Sequence, residues 1–159
     1  MTTKSDYTEQ EWEGLLQAPM MAGMYIIVAD MSVTGIAKES AGMLKAIQAQ
    51  VAPDTARELV GAVVADIVAR SSNKQKLQQP ELDKHQDPKL QIMNILVGYL
   101  AVLGEKSTPE EKAGFGSWLL TVAQATAEAG REGGFLSIGS VRVSEKEETA
   151  LAELKAVLA

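Results

Sequence analysis

Cysteine is absent from all 159 residues. That excludes disulfides, thiolate-bound zinc and thiol catalysis together, and it fits a reducing interior. Histidine occurs once, at His85, inside a polar stretch. It has no second histidine with which to share a metal and no serine placed beside it as a nucleophile. A solvated surface residue accounts for it. Aromatic residues are only 4% of the chain, so Ala, Val, Leu, Ile and Met must fill the core. Such a composition favours close helix packing over sheets, which draw on β-branched and aromatic residues. No basic run or stripe is present, and the formal net charge is −6. A phosphate-backbone partner is therefore not expected, and nucleic acid is excluded as a ligand. Long apolar runs are missing too. The longest extends roughly from Ala18 to Ala29 and is closed by Asp30, short of the ~20 residues that span a bilayer. The polar opening Met1-Thr2-Thr3-Lys4-Ser5-Asp6 does not read as a signal peptide. A cytoplasmic protein with no membrane partner is the expectation.

What is present is helical periodicity with clear punctuation. Residues 1–7 read as a frayed tail. Thr8-x-x-Glu11 has capping-box spacing, and Trp12, Leu15 and Leu16 mark one face of a short helix. Pro19 is expected to stop that helix and open another, along which Met20, Met21, Met24, Ile27, Val28 and Met31 recur. A methionine stripe suits an adaptable binding face, but core filling is the favoured explanation. After a turn, Ile36, Ser40, Met43, Leu44, Ile47 and Val51 form the next stripe. Pro53-Asp54 restarts the chain, and Leu59, Val60, Val63, Val64, Ile67 and Val68 predict a largely buried helix.

The segment 71–86 is almost devoid of apolar groups and reads as a polar linker or mobile loop. Asp87-Pro88 opens a helix carrying Leu90, Met93, Leu96, Val97, Leu100 and Leu103, expected to end at Gly104. Thr108-x-x-Glu111 opens another, with Trp118, Leu119 and Val122 on one face and Gly130 at its end. Ser144-x-x-Glu147 starts the last helix, with Leu151, Leu154 and Leu158 facing inward. The predicted fold is an all-α single domain over residues 1–159, a bundle of six or seven helices packed partly across one another.

One segment breaks the helical pattern with apolar rather than polar residues. Across 131–143, Gly133, Gly134, Phe135, Leu136, Ile138 and Val141 form a Gly-rich apolar loop or a tiny hairpin. A solvated loop has no use for those side chains, so the loop is either packed down or a contact surface. A protein partner or self-association through it is the first functional expectation.

The remaining candidates are acidic. Asp30 closes an apolar helix, Glu39 follows on the next, Glu128 precedes the apolar loop and Glu147 follows it. Carboxylates at helix–loop–helix corners suit a hard divalent cation through oxygen ligands. Glu147 is equally explained by capping, whereas Asp30 sits at a helix end where the dipole disfavours an acid. No Walker loop, dinucleotide fingerprint or EF-hand spacing occurs.

Two stretches invite comparison: Ile26-Ile27-Val28-Ala29-Asp30 followed by Leu44-Lys45-Ala46, and Val122 to Ala129 followed by Leu154-Lys155-Ala156. They allow a weak two-fold internal repeat, with the acids out of register when the Leu-Lys-Ala triplets are superposed. The order helix, Ala-acid, loop, then Val143-Ser144-x-x-Glu147 resembles the tellurite-resistance TerB-like family, which is all-helical. The resemblance implies cation binding by Asp30, Glu39, Glu128 and Glu147. The 133–147 segment is also similar to small bacterial proteins that carry no assigned activity. Three functions are therefore weighed: a non-enzymatic interaction or stress-related module using loop 131–143 or segment 71–86; a divalent-cation-binding TerB-like domain; and, least supported, an enzyme with buried carboxylates.

Overall fold

The computed structural model describes residues 1–31, 35–130 and 143–159. Six α-helices follow in order: α1 Glu9–Ala29, α2 Ile36–Ala49, α3 Arg57–Ser72, α4 Pro88–Lys106, α5 Pro109–Ala129 and α6 Glu145–Leu158. Short 3-10 turns at Lys4–Asp6 and Asp54–Ala56 precede α1 and α3, and no strand occurs among the described residues. The predicted contact loop, with Gly133, Gly134, Phe135, Leu136, Ile138 and Val141, lies outside the described residues.

The starts of the helices obey the local chemistry. The hydroxyls of Thr8, Thr108 and Ser144 accept from the backbone N–H groups of Glu11, Glu111 and Glu147. Asp87 accepts from the N–H of Lys89 ahead of a proline in the first turn. Each cap satisfies an N–H that the helix itself leaves open.

Three expectations are corrected. Pro19 does not divide the first helix; it lies inside α1, which continues to Ala29. Proline removes one backbone bond there, at a cost of roughly 3 kcal/mol. The flanking Leu15, Leu16, Met21 and Ala22 are all at most 1% exposed, and their burial outweighs that cost. Likewise α4 runs past Gly104 to Lys106, whose ammonium bonds Glu11 at 2.9 Å and the carbonyl of Asp6 at 2.9 Å. The opening residues are not frayed. The N–H of Thr2 donates to the Glu111 carboxylate at 3.0 and 3.2 Å, and Tyr7 is buried against Trp12.

One continuous core joins all six helices. The helix α5 is central: it packs on α1, α2 and α6. The α2–α5 seam is close because Gly42 faces Ala129, and a Cβ at Gly42 would collide with the Ala129 side chain. Not every predicted stripe residue is buried. Leu44, Val68, Leu90 and Val97 are exposed, since α2, α3 and α4 each meet the bundle along one narrow edge, and Val51 is exposed beyond the end of α2.

Two pairs of helices match in length, and α1 and α5 also match in burial when the Thr8 and Thr108 caps are aligned. Each contains a 21-residue helix, α1 or α5, followed after a connection by a 14-residue helix, α2 or α6. Gly14, Leu15, Ala18, Ala22 and Ile26 of α1 are buried where Gly114, Phe115, Trp118, Val122 and Thr126 of α5 are buried.

Candidate functional site

A polar cleft of about 1200 Å³ lies between the first half of α1, the second half of α3, segment 73–78 and Tyr99 of α4. Helical spacing builds it. Asp66 and Arg70 lie one turn apart on α3, and Glu13 and Gln17 one turn apart on α1, so four polar side chains face one another across two apolar helices.

The floor is bonded within itself. The indole Nε1–H of Trp12 donates to Asp66 Oδ2 at 2.7 Å, and Lys4 Nζ donates to the same oxygen at 2.8 Å. Arg70 Nε lies 3.7 Å from Asp66 Oδ1, and its Nη1 donates to Glu13. Glu13 also accepts from the backbone N–H of Gln78 at 3.3 Å. The buried Gln17 donates through Nε2 to the carbonyl of Gln78 and accepts from the Tyr99 hydroxyl. Tyr99 reaches Gln17 by lying over Gly14, where a Cβ would sit 2.7 Å from the ring. Segment 73–78 is thus pinned to α1 through Gln78.

Electrostatics follow from these contacts. Burial alone would raise the Asp66 carboxyl, but the bonds from Lys4 and Trp12 and the charges of Lys4 and Arg70 hold it below the ordinary range. Burial raises the Tyr99 hydroxyl, and the charge of Glu13 adds to the effect.

The rim differs from the floor. Glu9 and Gln10 on α1 and Asn73, Gln75 and Lys76 opposite them line the cleft, yet their side chains make no hydrogen bond or ion pair among the described residues. The backbone N–H groups of Lys76, Leu77 and Gln79 also find no partner there.

The sequence-predicted acids are placed elsewhere. Glu39 is 3% exposed on α2, with its carboxylate against Gly130 at the end of α5. Glu147 is 2% exposed, and its Oε1 accepts from Ser144 Oγ at 3.1 Å. Asp30 is the C-cap of α1 and is half-buried. Glu128 is exposed on α5 and bonded to Gln124 at 2.9 Å. Its place in the second half is not that of Asp30: counting from the caps, Asp30 corresponds to Gly130. Among the described residues no group of three or more His, Asp or Glu side chains converges in a way that would hold a metal ion. His85 is exposed in the connection before α4.

A smaller polar cluster joins α1, α4 and α6. The Tyr25 hydroxyl donates to Glu153, and Lys89 bonds Glu153 at 3.3 Å while standing 5.2 Å from the Tyr25 ring centroid. Burial and the Glu153 carboxylate raise the tyrosine, whereas the bonds from Tyr25 and Lys89 lower Glu153.

Reading the sequence alone singled out none of Lys4, Glu13, Asp66, Arg70 or Tyr99. The available signal was an acid and a base one turn apart in the apolar middle and later turns of α3, and a glutamine on the apolar face of α1. No helix among the described residues is long and apolar enough to cross a membrane. Neither protein-family models, nor curated proteins, nor solved structures match this chain.

Proposed function

We propose that this protein is a non-enzymatic interaction module whose contact surface is the polar cleft walled by segment 73–78. The observation that carries the reading is the contrast between floor and rim. The floor from Lys4 to Tyr99 satisfies its own polar groups and so holds its shape without a ligand. The rim of Glu9, Gln10, Asn73, Gln75 and Lys76 presents donors and acceptors that the described residues leave unused. No nucleophile with an adjacent base lines the cleft, which ranks an enzymatic role below a binding one.

The test is a photo-crosslinking side chain introduced in place of Gln75, inside the cleft, or Glu105, outside it. A discrete partner captured in cells from position 75 and not from position 105 is the expected result. Capture that is equal from both positions, or absent from both, moves the contact surface elsewhere.

Divalent-cation binding, as in a TerB-like domain, is the second reading. It is favoured by the burial of Glu39 and Glu147, each in the first turn of a 14-residue helix. A cation held by the folded state alone raises the melting temperature as its concentration exceeds Kd. A melting curve unmoved by millimolar Ca²⁺, Mg²⁺ and Mn²⁺ removes this reading.

A further inference from the structure

Resting on the reading of the cleft as a contact surface, we infer that its ligand is an extended, polar peptide segment of no net charge. Charge is the first argument. Lys4, Arg70 and Lys76 are set against Glu9, Glu13 and Asp66, so the lining is balanced within a chain of net charge −6. A polyanion meets three carboxylates there and a polycation meets three cations, and either loses by repulsion what it gains by attraction.

Surface chemistry is the second argument. Trp12 is only 2% exposed and Lys4 stands 5.9 Å from its ring centroid, while the Tyr99 ring lies over Gly14. Trp12 is thus closed to stacking, and Tyr99 is held over Gly14, so the lining is chiefly polar rather than aromatic.

Hydrogen-bonding pattern is the third. Each carboxamide of Gln10, Asn73 and Gln75 offers a donor and an acceptor, the same pair that a peptide unit presents. Beside them the backbone N–H of Lys76 is unused, on a cleft-lining segment with no helix or turn. An unpaired backbone edge takes up another chain through main-chain bonds, with side chains setting specificity.

The experiment uses the full chain labelled with ¹⁵N. It is titrated separately with a pool of capped hexapeptides of serine, threonine, asparagine and glutamine, with capped hexaglutamate, with capped hexalysine and with maltohexaose. The indole N–H of Trp12, bonded to Asp66, reports on the cleft, and that of the fully buried Trp118 is the control. The neutral pool is expected to shift the Trp12 signal and the amides of 75–79, and to leave Trp118 in place. Its apparent affinity should exceed that of either charged hexamer by about tenfold, or ~1.4 kcal/mol. The double variant Gln10→Ala, Gln75→Ala should weaken it several-fold with an unchanged melting temperature. Equal or tighter binding of a charged hexamer, a response to maltohexaose alone, or no response to any probe overturns the inference. If crosslinking from position 75 still captures a partner while the neutral pool fails, the ligand class falls and the contact surface stands. If both fail, both fall.

Discussion

Asp66 collects a lysine, an indole and an arginine on one carboxylate that is 19% exposed. Its folded-state pKa is below the ordinary 3.8, so the stabilisation is complete above that value and fades as pH falls through the lower folded value. Asp66→Asn should therefore cost about 1.5–3 kcal/mol at neutral pH, the range for hydrogen bonds to a charged group. The difference from the parent should shrink as the pH is taken down towards 3, which urea midpoints at several pH values would measure. A penalty independent of pH would mean that shape, not charge, holds the site. Gly14→Ala tests the neighbouring contact. The added methyl would sit 2.7 Å from the Tyr99 ring, so the ring must lift and release Gln17. Overpacking of this kind costs roughly 1–3 kcal/mol, and the Trp12 indole signal should shift as the cleft floor loosens. Periodicity could not announce this site, because its members are far apart in the chain: Lys4 meets Asp66, and Tyr99 meets Gln17.

Helix positions and caps were legible because both are local. The Thr8, Asp87, Thr108 and Ser144 starts appear where their side chains can reach an N–H within three residues. Helix ends were less legible. Pro19 and Gly104 are local stop signals, and both are overridden by contacts with residues distant in sequence. The same distinction separates Met21, which is buried, from Met31 on the same stripe, which is 66% exposed beyond the end of α1. At this scale the α2–α5 seam supplies the clearest test. Gly42→Val places a branched side chain where Ala129 already stands. It should destabilise by about 1–3 kcal/mol or more, with loss of near-ultraviolet signal before loss of helicity. A variant as stable as the parent would show that α2 can shift on α5 at no cost.

The bundle should unfold as one cooperative unit, since a single core draws on every helix and the opening residues are tied to α4 and α5. Leu154→Ala removes a side chain with no exposure from α6 and should cost about 2–5 kcal/mol. Far-ultraviolet dichroism and tryptophan fluorescence should still report one coincident transition. Two separated transitions would show that α6 unfolds apart from the rest despite its Tyr25–Glu153–Lys89 tie. By itself, the sequence determined that the chain is all-helical, where most helices begin, and which classes of chemistry its composition excludes. These follow from capping, periodicity and residue inventory, which act within a few residues. Only tertiary structure decided which apolar stripes are buried along their full width, that the acids Asp30, Glu39, Glu128 and Glu147 do not converge on a metal site among the described residues, and that a charge-balanced cleft forms beneath segment 73–78. Such features depend on which helix faces meet, and that choice is made by the packing of residues as much as about a hundred positions apart, as when Thr2 bonds Glu111.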